Sequence, residues 1–118
     1  MVVGTLEPRA KQTDRLFFAL SDATRRDIVT QTLDRERSVS ELGRRYPISL
    51  TAVQKHVEVL VGAGLVSKHR RGREQLVRGE IEQLSRAHQL LDELEALWRA
   101  RLERFEEVLN ETTGKELE

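Results

Sequence analysis

The chain has 118 residues, 38% of them hydrophobic and 34% charged, with seven glycines, two prolines and no cysteine. This is one domain's worth of sequence, and it excludes a disordered chain, a disulfide-stapled module, thiolate metal ligation and cysteine nucleophiles. Twenty basic residues balance twenty acidic ones, but Glu36 to Gly79 holds nine Lys/Arg against four Asp/Glu and Glu80 to Glu118 five against eleven. A basic middle and an acidic tail imply two different tasks.

No apolar run reaches the roughly 18 residues of a membrane span and no signal-peptide core opens the chain, so a soluble, cytoplasmic protein without a membrane partner is expected. Residues 1–11 (MVVGTLEPRAK) have no period and contain Gly and Pro; they read as a mobile arm. From Thr13 the pattern turns helical, with Leu16, Phe17 and Leu20 on one face. Asp22 suits the N-cap of a second helix that carries Ile28, Val29, Thr32 and Leu33 inward and ends in the charged stretch 34–37. Ser38 or Ser40 then starts a short helix, which stops before Pro47 because proline disfavours helical geometry at Tyr46. Ser49 caps a fourth helix, backed by Val53, Val57, Leu60 and Val61 and closed at Gly62-Ala63-Gly64. Two short runs, 65–69 and 75–78, flank Arg70-Arg71-Gly72-Arg73 and predict a β-hairpin.

The last segment has the longest period. Leu84, Leu91, Trp98 and Phe105 recur every seven residues, Leu94 and Val108 fill alternate places, and Arg101 interrupts that row. Leu90, Leu97, Leu102 and Leu109 widen the stripe. About 27 helical residues would be roughly 40 Å long, more than a small helical core covers. The apolar face therefore needs a partner, and a second copy of the chain is the simplest supply. Leu91, Leu94, Trp98 and Phe105 are the expected contacts.

The order helix, helix, short helix, turn, helix, basic hairpin, long helix is that of a mainly α winged helix-turn-helix, with a short β-hairpin wing and a long C-terminal dimerisation helix. Residues 12–110 would form this domain, with helices at about 12–20 and 81–110, the latter for dimerisation, and a disordered tail at 111–118. Such a head suits double-stranded DNA, because a helix fits the major groove and its N-terminal residues meet base edges. The fourth helix offers Ser49, Leu50, Thr51, Gln54 and Lys55 outward. Gln54 can pair bidentately with adenine, Lys55 can reach guanine or phosphate, and Thr51 can meet a phosphate or a thymine methyl. The wing carries Lys68, His69, Arg70, Arg71 and Arg73 against one acid, Glu74, and Gly72 at its tip lets the arginines follow a phosphate backbone or enter a minor groove.

Four stretches, LSDATRRDIVTQTL (20–33), SVSELGRR (38–45), ISLTAVQKHVEVLVGAGLV (48–66) and HRRGREQ (69–75), resemble the ArsR/SmtB-type winged-helix transcriptional regulators over roughly residues 13–110. The resemblance implies a homodimer joined through the first and last helices, bringing in Leu16 and Phe17, that binds a palindromic operator and represses. It also implies a role for His56 near the DNA backbone, beside the plainer reading of a structural histidine. The sequence departs from the family at three places. The aspartate-proline-threonine-arginine start of the second helix is Asp22-Ala23-Thr24-Arg25, the polar residue after the capping serine is Leu50, and 40–45 holds no metal-binding cysteine. The chain thus falls outside the classical metal sensors, with a small-molecule effector left open.

Plainer readings stand beside several of these. Arg25 and Arg26 fit surface ion pairs with Asp22 or Asp27 better than DNA contacts. His88 and Asp92, one turn apart, would give four metal ligands across a dimer, but one histidine on a helix usually faces solvent. No nucleophile–base pair, phosphate loop or cofactor fingerprint is present, so neither an enzyme nor a bound cofactor is expected. The rival from another class is a winged helix used as a protein-docking module, its basic wing meeting an acidic partner.

Overall fold

The computed structural model describes residues 2–117, with the side chains of residues 8–113. Two compact units make up the chain, Met1–Ala87 and His88–Glu118. The elements are α1 (Val2–Leu20), α2 (Ala23–Asp34), β1 (Arg37–Ser38), α3 (Val39–Arg45), α4 (Leu50–Gly62), β2 (Val66–Arg71), β3 (Glu74–Gly79) and α5 (Ile81–Leu117). The last begins in the first unit and supplies the second.

Local chemistry sets the boundaries. The Asp22 carboxylate accepts the Arg25 backbone N–H at 3.1 Å and starts α2. Ser38, not Ser40, starts α3, its hydroxyl accepting from Glu41 N–H at 3.0 Å. Ser49 starts α4 in the same way through Ala52 N–H at 3.1 Å. Each satisfies one of the donors a helix N-terminus leaves unpaired. At the far end of α4, Gly64 takes the left-handed conformation (φ 74°). Leu65 N–H then reaches Leu60 C=O and Gly64 N–H reaches Val61 C=O, both at 3.0 Å. This is the Schellman closure, with Leu60 and Leu65 as its buried apolar pair.

The antiparallel sheet runs in the order β1-β3-β2. β2 and β3 form the hairpin, with Arg71 opposite Glu74 and Lys68 opposite Val77. That register leaves Gly72-Arg73 as a two-residue loop with only Gly72 at positive φ (61°), the pattern of a type II′ turn that matches strand twist. β1 pairs Ser38 with Leu76 and Arg37 with Val77. Two residues are too few to carry a period, so the sequence gives no sign of this strand.

The core gathers Leu16 and Ala19 of α1, Ile28 and Val29 of α2, Leu42 of α3, Val53, Val57 and Leu60 of α4, and Val77 of β3. Three sequence expectations change. α1 starts at Val2 rather than near Thr13, and residues 8–12 are all exposed; a turn with no buried face leaves no apolar period. The arm expected at 1–11 is thus helical where it is described, and Met1 lies outside the described residues. α5 likewise continues past residue 110 to Leu117, its residues 111–113 exposed all round, and Glu118 lies outside the described residues. Leu33, expected inward, is 42% exposed and lies along β3, where a Cβ built on Gly79 would come within 2.8 Å of its side chain and backbone N.

Candidate nucleic-acid interface

The turn between α3 and α4 is braced from α2. Tyr46 donates its hydroxyl proton to Asp27 Oδ2 at 2.6 Å, and Arg45 Nε–H donates to the same oxygen at 2.7 Å. The Arg45 hydrogen bond, then that of Tyr46, holds the Asp27 carboxyl below the usual carboxylate range. Burial, helped by the Asp27 hydrogen bond, pushes the Tyr46 phenol up. Burial of Val53, Val57 and Leu60 fixes the rotation of α4, so Thr51, Gln54 and Lys55 stand exposed on its outer face with Ser49 at its start.

The wing lies beside that face. Gln54 and Glu58 of α4, Lys68 of β2, Gln75 of β3 and the buried Val39 and Val57 line one cleft. Strand alternation explains the membership, since Lys68 and Arg70 of β2 share a face with Gln75 and Val77 of β3. Gln75 escapes a reading of the charges, although counting back two residues from the apolar Val77 would have placed it on this side.

Several expected contacts have partners within the chain. Lys68 Nζ is ion-paired with Glu58. On the opposite face of β2, His69 Nε2 lies 2.9 Å and Arg71 3.8 Å from the Glu36 carboxylate. Arg70 and Arg73 are exposed and form no ion pair among the described residues. The wing's five basic side chains therefore divide into two open arginines and three held by acids that the run 66–75 does not contain. Leu50, half exposed, leans on α3: its Cδ1 would stand 2.9 Å from a Cβ at Gly43. An apolar residue after the capping serine thus joins the two helices of the motif.

Arg25 is a correction. It is buried rather than paired on the surface: Nε–H donates to Ala19 C=O at 2.8 Å, a terminal nitrogen to Phe18 C=O at 2.9 Å, and the other lies 3.2 Å from His56 Nδ1. The guanidinium also sits 5.0 Å from the Phe18 ring centroid. Arg26 closes the same end through Leu20 C=O at 2.8 Å. Both serve the unpaired carbonyls and negative dipole end of α1. No local pattern announces this, because the partners lie six to thirty-one residues away.

The expected contacts between copies also separate. Leu16 is in the core of its own chain and Phe17 packs against it, whereas Phe18 is 61% exposed. On α5, Leu91, Leu94, Trp98 and Phe105 are each more than half exposed. His88 Nε2 lies 3.4 Å from Asp92 Oδ2, both on the open surface.

Residues 20–69 match the family model described as a helix-turn-helix domain. Over 67 residues the chain is 42% identical to the uncharacterized HTH-type transcriptional regulator YuzN of Bacillus subtilis (strain 168), covering 51% of this chain and 73% of that one. It is 43% identical over 56 residues to the HTH-type transcriptional regulator Rv2034 of Mycobacterium tuberculosis (strain ATCC 25618 / H37Rv), and this covers 48% of the chain and about half (52%) of the relative. Among solved structures, an ArsR-like transcriptional regulator from Rhodococcus sp. RHA1 is 33% identical, with a TM-score of 0.80 over 93% of this chain and 97% of that one. With α3, turn, α4 and wing in place, the chain belongs to the ArsR family of winged helix-turn-helix transcriptional regulators.

Proposed function

We propose that the protein is a homodimeric, sequence-specific DNA-binding regulator that represses from a two-fold palindromic operator. The observation that carries the reading is the cleft that Gln54 of α4 shares with Lys68 and Gln75 of the wing, with Thr51 and Lys55 exposed beside Gln54 on α4 and Arg70 and Arg73 open on the wing. α4 supplies polar side chains for base edges in the major groove, and the wing arginines supply charge for flanking phosphates. In a two-fold assembly the paired α4 helices would enter major grooves about one helical turn apart. Dimerisation is supported by the apolar stripe of α5, whose large side chains from Leu91 to Leu109 are 45% to 69% exposed. The site calls for no cofactor and no catalytic group.

Selection of bound sequences from a random duplex pool, followed by titration at several salt concentrations, tests the reading. The expected result is an inverted-repeat consensus, saturation at one dimer per repeat, and affinity that falls steeply with salt. Failure to enrich any sequence would overturn it, leaving the fold as a docking module.

A further inference from the structure

The outward ridge of α4 begins with an apolar residue. Ser49 caps the helix, so Leu50 is its first helical residue, and it is 48% exposed. Ile48, one residue before the cap, is 38% exposed. Residues 50, 54 and 58 follow steps of four and lie along one ridge of the helix. Gln54 and Glu58 on that ridge line the cleft with Lys68 and Gln75 of the wing, and Glu58 is ion-paired with Lys68. Leu50 carries the ridge beyond the cleft, to the start of α4.

One side of Leu50 is seated. Its Cδ1 lies against α3 where Gly43 has no side chain, and a Cβ there would come within 2.9 Å of it. About half of the residue stays open. A leucine anchored on one side and bare on the other offers an ordered apolar surface, without the entropy cost of fixing a free side chain on binding. Base edges in the major groove display mostly hydrogen-bonding atoms, and the C5-methyl of thymine is the apolar group among them. A polar side chain at this position would seek a phosphate or a base heteroatom. Leucine, with neither donor nor acceptor, does neither.

We infer that Leu50 is a specificity-determining residue that reads the C5-methyl group of a thymine close to the base pair read by Gln54. The inference rests on the DNA reading proposed above and names the base that this side chain selects. The N-terminal residues of a helix seated in the major groove meet base edges, and Leu50 is the first of them in α4. Four residues of helix advance about 6 Å, less than two base-pair steps of about 3.4 Å. The selected thymine therefore lies within about two base pairs of the target of Gln54. Thr51 also carries a methyl group, but it stands about 100° around the helix from Leu50, on the row of Lys55. Its hydroxyl is left for a phosphate oxygen. Burying one methyl group against Leu50 corresponds to about fourfold in affinity per half-site, or about fifteenfold for two.

The consensus selected from the random duplex pool supplies the probe. Each thymine of a half-site, on either strand, is replaced in turn by deoxyuridine, which removes the methyl group and keeps the pairing. The full-length protein should lose about fourfold in affinity at one such thymine per half-site, close to the position whose preference Gln54→Ala relaxes. This scan of the unaltered protein needs no variant to fold. Leu50→Ala should then bind the thymine and deoxyuridine probes alike at that position. Leu50→Met, which keeps an apolar side chain of similar volume, should retain the discrimination, and so should Thr51→Ser. Binding by the unaltered protein that is indifferent to every deoxyuridine overturns the inference and leaves the DNA reading standing. Discrimination that survives Leu50→Ala gives the methyl contact to another side chain and also overturns it. A random pool that yields no consensus overturns the DNA reading, and the inference falls with it.

Discussion

One terminal nitrogen of Arg25 lies 3.2 Å from His56 Nδ1, joining the start of α2 to α4 across thirty-one residues of sequence. Arginine only donates, so His56 Nδ1 accepts and the ring proton sits on Nε2. The same guanidinium holds Phe18 C=O and Ala19 C=O, so one buried side chain fixes the end of α1 against α4.

Arg25→Ala should lower stability by about 2–3 kcal/mol, because it takes the side-chain donor from the buried Ala19 C=O as well as losing charged hydrogen bonds. Arg25→Lys should recover less than half of that, since an ammonium cannot present a planar fork to three acceptors. Chemical denaturation with a fitted midpoint and slope measures both. A loss below 0.5 kcal/mol for the alanine variant would contradict the bracing role.

Within the proposed function, Gln54→Ala should relax base preference at one position of each half-site by about 1–3 kcal/mol while sparing affinity for random duplex. Arg70→Ala should do the reverse, weakening every sequence alike and lowering the salt slope by about one for each phosphate contact removed. Competition titrations on operator and random duplex separate the two. Identical effects from both variants would remove the division between reading helix and wing.

Glu36 holds His69 and Arg71 of the wing. Glu36→Gln removes the negative charge and keeps the shape, so non-specific affinity for duplex should rise and its salt dependence should steepen. A fall in affinity would mean that Glu36 serves the wing by orienting it and does not restrain it.

Acid should weaken the fold through two aspartates. The Arg25 backbone N–H keeps Asp22 below the usual carboxylate range, and the Arg45 side chain does so for Asp27. A carboxylate with a lowered folded-state pKa adds stability that is complete above about pH 4 and is lost as pH falls through the folded value. Each effect is modest because both groups are open to solvent screening. Unfolding midpoints measured from pH 6 to pH 2 should drop less steeply for Asp27→Asn than for the parent chain. Parallel curves would exclude Asp27 from the acid response.

The glycines make a paired comparison. Gly72 has φ 61° with open space around it, whereas a Cβ on Gly79 meets backbone and side chain of Leu33 at 2.8 Å. Gly72→Ala should cost about 1–2 kcal/mol from the left-handed conformation alone. Gly79→Ala should cost more, because β3 must move away from α2. Thermal midpoints that rank the two the other way would refute this account of the close approach.

Elements whose ends are set locally were legible in the sequence. Asp22 and Ser49 as caps, the Gly62–Gly64 closure and the hairpin around Gly72 each depend on a few adjacent residues. The outward placement of Gln54 and Lys55 followed from the spacing of Val53 and Val57. What escaped depends on distant neighbours. β1 exists because β3 offers an edge, and Arg25 is buried because Phe18, Ala19 and His56 converge on it. Lys68 and His69 are held by Glu58 and Glu36, which lie outside the wing. The full lengths of α1 and α5 escaped for a different reason: residues 8–12 and 111–113 have no buried face, so no periodicity records them.

The inward valines of α4 are buried in the core, and Thr51, Gln54 and Lys55 stand exposed on the other side of the helix. Changes at the exposed positions 51, 54 and 55 therefore leave the interior as it is. A lineage carrying this scaffold is free to drift toward new targets without renegotiating how it folds.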